Sequence, residues 1–139
     1  MAVNTQFSIA VHIMAGLGYS RGAEVCSEEL ARSVNANPSF LRRILSKLAK
    51  ADLVKTSKGK GGACALARPA NRISLLEIYR AVDAPKAFAI HAYPAEKKCK
   101  ISCNIKSAMD QVLSRAQASM ELGLEKMSLA EVIADLKQG

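Results

Sequence analysis

NPSFLRRILSKLAKADLVKTSKGKGGACALARP, residues Asn37 to Pro69, decides how this chain is read. Asn37-Pro38 is a helix start: an Asn side chain can accept from the first free amides, and Pro fits the first helical position. Phe40, Leu41, Ile44, Leu45 and Leu48 then recur at helical spacing as an apolar stripe, leaving Arg42, Arg43, Ser46, Lys47 and Lys50 on the remaining positions. After Asp52 the period shortens. Leu53–Thr56 and Ala63–Ala67 read as short extended segments around the tip Ser57-Lys58-Gly59-Lys60-Gly61-Gly62, where glycines permit positive φ and close backbone approach. The stretch is a basic helix followed at once by a glycine-tipped basic hairpin, a wing.

Upstream, Ser27 starts a short helix to about Asn35, with Glu28 and Glu29 in the first turn, where the helix dipole favours negative charge, and Leu30, Ala31 and Val34 on its inner face. Two helices joined by a tight turn make a helix-turn-helix whose second member is the reading helix. A first helix from Asn4 to about Leu17 turns Phe7, Ala10, Met14 and Leu17 inward, and Gly16, Gly18 and the polar run to Gly22 are expected to end it. Downstream, Ser74-Leu75-Leu76-Glu77 is a capping box for a fourth helix through about Val82, stopped by Asp83-Ala84-Pro85. Residues 86–103 show no period and read as a loop. A long helix follows from Asn104 to about Lys126, roughly 33 Å at 1.5 Å per residue, with Ile105, Met109, Val112, Ala116, Met120 and Met127 along one side. Its length suits dimerisation better than core packing, and Gly123 could admit a close helix. Ser128-Leu129-Ala130-Glu131 is a second capping box before a final short helix. The expected organisation is a domain over 1–84, a sensor loop over 85–103, and a dimerisation helix with a C-terminal helix over 104–139.

The net charge of +8 is not spread evenly. Arg32 to Arg72 holds ten Lys or Arg against the single acid Asp52, and the rest of the chain is one charge negative. A basic patch confined to a helix-turn-helix and its wing is the footprint of a polyanion partner, here double-stranded DNA. The helix suits the major groove and the ribbon a neighbouring groove or the phosphates. A basic RNA-binding or protein-interaction adaptor is the rival from another class. No phosphate-binding loop or paired-carboxylate arrangement appears, and of the two histidines His12 falls on the first helix, so an enzyme is not expected. No apolar run of 18 residues indicates a membrane span, and the N-terminus lacks a basic signal-peptide region, so a cytoplasmic protein is expected.

Cys26, Cys64, Cys99 and Cys103, in a chain without an export signal, argue against a disulfide framework. Cys99 lies among Lys97, Lys98 and Lys100, cations that favour the reactive thiolate. Oxidation there to a sulfenic acid could be resolved by Cys103 or by Cys26. Cys103 would share the helix dipole if it entered the long helix. Cys64, on the wing strand, reads as a packed small residue.

The segments LARSVNANPSFLRRILSKLAKADLVKTSKGKGGACALARP and ISLLEIYRAVDAP resemble the Rrf-two family of bacterial winged helix-turn-helix transcription regulators. The resemblance spans essentially the whole chain. It implies a homodimer crossed through the long helix, with two wings gripping a pseudo-palindromic operator; the expected function is that of a sequence-specific transcription repressor. It assigns base reading to Ser39, Arg42 and Arg43 and minor-groove entry to Lys58. The chemistry agrees for the arginines, whose forks fit guanine O6 and N7, while Lys47, Lys55 and Lys60 are placed for phosphates. Phe40 and Leu41 are read as core. Cluster-binding relatives carry three cysteines before the long helix, whereas this chain has Cys99 and Cys103 alone, with His91 as a conceivable third ligand. No cofactor is therefore expected, an iron–sulfur cluster or metal being the alternative. The chain instead resembles the branch that keeps one or two thiols there, some of which sense oxidants or electrophiles.

Overall fold

The computed structural model describes residues 4–20, 24–57 and 63–138. Its elements are α1 (Gln6–Tyr19), β1 (Val25–Cys26), α2 (Ser27–Val34), α3 (Pro38–Lys50), β2 (Val54–Thr56), β3 (Ala63–Leu66), a 3-10 turn (Ala70–Arg72), α4 (Leu75–Ala81), α5 (Lys100–Glu125) and α6 (Leu129–Gln138). The mainly α winged-helix architecture is as the sequence leads one to expect. Residues 1–84 with 124–139 form one compact unit and residues 85–123 another. The C-terminal helix therefore belongs with the N-terminal residues, and α5 crosses from one unit to the other.

In the first unit the core is aliphatic: Ile13, Met14, Leu17, Leu41, Ile44, Leu48, Leu53, Ile73, Ile78 and Leu129 are essentially inaccessible, and no polar side chain among the described residues is buried. Phe7 of α1 meets Tyr79 of α4 edge-on, ring centroids 5.5 Å apart. The helix α1 does not end at its glycines but runs through both to Tyr19. The reason lies at Gly18, where an added Cβ would collide with the Ile133 side chain of α6; the glycine lets the two helices close together. Ser74 and Ser128 form an isolated antiparallel bridge. Around it the Leu75 amide donates to the Met127 carbonyl and the Leu129 amide to that of Ile73, each at 2.9 Å. The second capping box is complete, Ser128 and Glu131 each accepting the other's amide. The first is half-formed: Ser74 accepts from the Glu77 amide, but the Glu77 carboxylate turns to Arg68, 3.2 Å away. That pair ties the end of the wing to α4.

The wing differs from the expected two-stranded hairpin. Its sheet has three strands in the order β1-β3-β2, with Val25 opposite Cys64 and Cys26 opposite Ala63. Thr56 faces Cys64 from the other side. A two-residue strand has no periodicity to announce it, and it hands over directly to α2, which starts at Ser27 with Cys26 in the cap position.

In the second unit the helix begins four residues before Asn104, at Lys100. Asn104 is not its cap; its side-chain amide donates to the Lys100 carbonyl, one turn back, at 2.6 Å. The loop before the helix folds onto it. The Ala87 amide donates to Gln117 Oε1 at 3.0 Å, and the Tyr93 hydroxyl donates to the Ser102 carbonyl. Pro85, Phe88 and Ile90 enclose with Asp110 and Leu113 a cavity of about 290 Å³.

Candidate nucleic-acid interface

The basic face is positioned by α3. Asn37 caps it, its Oδ1 accepting from the Ser39 amide at 2.8 Å, and Pro38 is the first helical residue. Leu41, Ile44, Leu45 and Leu48 are buried, which fixes the rotation of the helix about its axis. Ser39, Arg42, Arg43, Ser46 and Lys50 are thereby exposed, and Lys47 is half-buried. The turn that sets α3 against α2 uses Asn35 in the left-handed region at φ 58°, its amide donating to the Ala31 and Arg32 carbonyls. Asp52, at φ 60°, makes the reversal from α3 into β2. Lys55 is exposed on β2. Lys58 and Lys60, the expected wing-tip cations, lie outside the described residues.

Phe40 was read as a core residue, and it does pack against the core. It is only half-buried, however, and the Arg43 guanidinium carbon lies over its ring, 5.6 Å from the centroid. The sequence signal was available: an aromatic and an arginine three residues apart share a helix face.

The thiols separate into two groups. Cys64 is buried on the central strand, and burial pushes its thiol above the ordinary range, with Cys26 and Glu24 adding to the rise. Cys26, half-buried, ends β1. Cys99 and Cys103 stand at the start of α5. Cys99 occupies the cap position: its Sγ accepts from the Ser102 amide at 3.3 Å and its carbonyl from the Cys103 amide at 3.1 Å. Cys103 lies within the helix, its Sγ donating to the Glu96 carbonyl at 3.4 Å. The Glu96 amide in turn donates to Ser102 Oγ at 2.9 Å. One of the first free amides of α5, that of Ser102, therefore meets the Cys99 sulfur at the end where the dipole concentrates positive charge, whereas the Cys103 sulfur donates to a carbonyl. Cysteine is not among the residues that signal a cap, so nothing in the sequence marked this start.

His91 does not join the thiols. Its ring stacks on Tyr93, centroids 4.6 Å apart, and among the described residues no three His, Cys, Asp or Glu side chains converge as ligands to a metal would. Among the described residues no helix is long and apolar enough to cross a membrane.

Comparison with known proteins matches residues 3–135 to the family model described as Rrf2, iron-dependent transcriptional regulator. The chain is 38% identical over 135 residues to YwnA of Bacillus subtilis, described as an HTH-type transcriptional regulator, covering 96% of this chain and 98% of that one. A crystal structure described as a DNA-binding protein is 34% identical, with a TM-score of 0.72 over 92% of this chain and 98% of the other. A transcriptional regulator from Lactobacillus plantarum, 27% identical, superposes with a TM-score of 0.80 over 96% of this chain and 90% of its own.

Proposed function

This chain belongs to the Rrf2 family of DNA-binding transcriptional regulators, and we propose that it acts in the cytoplasm as a homodimeric, sequence-specific repressor whose operator affinity is set by the state of the Cys99 thiol. The observation that carries the DNA-reading part is the two-sided build of α3. Four buried aliphatics lock its rotation, so Ser39, Arg42 and Arg43 are presented together. The arginines supply bidentate donors to guanine, and Lys47 and Lys55 engage phosphates. Lys58 and Lys60, which fall between β2 and β3 in the sequence, add two further cations to the same basic stretch.

Dimerisation is supported by α5. It spans 26 residues, about 39 Å, and none of them is buried in the single chain. Ile101 and Val112, three turns apart on one side, are exposed. A second copy is the natural cover, since paired reading heads engage two half-sites of an operator.

Control by Cys99 is supported by its double role. The sulfur is both a nucleophile and the hydrogen-bond acceptor that closes the start of α5. A hydroperoxide would convert the thiol to a sulfenic acid, itself being reduced to an alcohol or water. Condensation with the Cys103 thiol, four residues on, would then give a disulfide and release water. An alkylating electrophile would instead add directly to the sulfur. Either event alters the cap that anchors residues 93–99 to the helix. Cys99 and Cys103 are joined by no third ligand among the described residues, which supports a thiol-based signal without a cofactor.

Selection of bound sites from random duplex DNA, with reduced and with N-ethylmaleimide-treated protein, tests this reading. A two-half-site motif bound more weakly after treatment is expected. A single unpaired site, or equal affinity of treated and reduced protein, would overturn the dimeric and the thiol-controlled parts respectively.

A further inference from the structure

From the contact within α3 we infer that Phe40 is a positioning residue for base reading: it holds the Arg43 guanidinium in place, so the base pair under Arg43 is discriminated more sharply than the one under Arg42. The inference rests on α3 being the reading helix. Phe40 and Arg43 are three residues apart and the guanidinium carbon sits 5.6 Å from the ring centroid, within the range of a cation–π contact. The ring is half-buried and packs against the core. Arg43 thus leans on a platform that the core helps to hold.

The consequence is entropic and geometric. An exposed arginine has several rotatable bonds, and a bidentate contact requires all of them to be frozen. A guanidinium that already lies on an aromatic face loses less freedom on binding, while its N–H edge stays free to donate to O6 and N7 of a guanine. Arg42 is one residue away, on a different bearing, and among the described residues no ring lies beneath it. Arg42 must therefore be ordered by the DNA alone. The pair differs in preorganisation, not in chemistry.

The test uses the duplex that the wild-type full chain selects most strongly, with every single base-pair substitution of it, and measures the affinity ratio at each position. Arg43→Ala should relax one position. Phe40→Leu should relax the same position by about two- to fivefold and leave the others unchanged. Phe40→Tyr, which keeps the ring, should restore it, and Phe40→Leu combined with Arg43→Ala should relax it no further than Arg43→Ala alone. In the free wild-type protein the Arg43 side-chain protons should show an upfield ring-current shift, a measurement that needs no variant. A Phe40→Leu effect spread evenly over all positions, an additive double variant, or absence of the upfield shift would overturn the inference. If Arg43→Ala leaves every ratio unchanged, the base-reading role of Arg43 itself has failed, which the other outcomes do not imply.

Discussion

The backbone amide of Ser102 donates to the sulfur of Cys99 across 3.3 Å, so the half-buried thiol proposed as the sensor is also the group that closes the start of α5. The two roles can be separated by substitution. Cys99→Ser keeps an acceptor and supplies a residue preferred at caps, whereas Cys99→Ala removes the acceptor at a cost of about 1 kcal/mol. The Ser102 amide should therefore exchange with solvent about fivefold faster in Cys99→Ala and no faster in Cys99→Ser, read by hydrogen exchange. Treatment with N-ethylmaleimide should weaken operator binding in the wild type and have no effect in Cys99→Ser. An equal response in both would place the sensing thiol elsewhere.

The basic residues should divide by their salt dependence. With Lys47 and Lys55 on phosphates, as proposed, Lys47→Ala and Lys55→Ala should each lower the slope of log affinity against log salt by about 0.9 and weaken all sequences alike. Arg42→Ala should instead cost about 1–3 kcal/mol on the preferred site and little on non-specific DNA. Titrations at several salt concentrations, on the selected duplex and on a scrambled one, separate the two behaviours.

Much of this was legible from residue patterns because the relevant signals are local. Asn37-Pro38, the Leu41-Ile44-Leu45-Leu48 stripe and the Ser128–Glu131 box each announce themselves within one or two turns. The features that escaped are those made by contacts distant in sequence, or by residues used outside their usual role. Val25-Cys26 becomes a strand only because Ala63-Cys64 lies beside it. Gly18 sits inside a helix because Ile133 arrives more than a hundred residues later to fill the space a side chain would take. Cys99 caps a helix that Asn104 seemed better suited to start. Phe40 satisfied the apolar pattern so well that its exposed side went unread.

Two backbone positions in the first unit carry opposite requirements. At Gly18 an added Cβ meets the far end of the Ile133 side chain, which must turn aside, so Gly18→Ala should lose the gain from alanine's better helix propensity and destabilise by about 1 kcal/mol or less. At Asn35 the left-handed backbone is the constraint, so Asn35→Gly should be near neutral and Asn35→Ala should cost about 1–2 kcal/mol. Urea unfolding of the three variants checks both, and the Gly18→Ala loss should be relieved by Ile133→Ala in the same chain.

Cys64 gives the fold a pH limb. Its thiol is held above the ordinary thiol range, chiefly by burial, with Cys26 and Glu24 adding to the rise. The folded state therefore prefers the neutral thiol. Its contribution to stability is complete below the unfolded-state value and declines as pH rises through the ordinary thiol range toward the raised one. Wild-type stability should fall over that interval, and Cys64→Ala should flatten the fall. In the native protein, iodoacetamide should label the exposed Cys103 well before Cys64, and the order should vanish in denaturant.

Val112 offers the sharpest test of dimerisation, because it is on the surface of the single chain and so its replacement should leave the protomer's fold intact. In a dimer joined along α5 the side chain would be covered, and a carboxylate there would be desolvated without a partner. Such a burial costs several kcal/mol per ion, and a symmetric interface would incur it twice. Val112→Glu should therefore sediment as a monomer at micromolar concentration with unchanged helix content and thermal midpoint. Its affinity for a two-half-site duplex should drop by a factor of 100 or so, because linking two modest binders multiplies their affinities, while binding to an isolated half-site should stay as it was. A Val112→Glu protein that remained dimeric would remove α5 from the interface. One that lost half-site binding as well would show the residue to support the fold rather than the assembly.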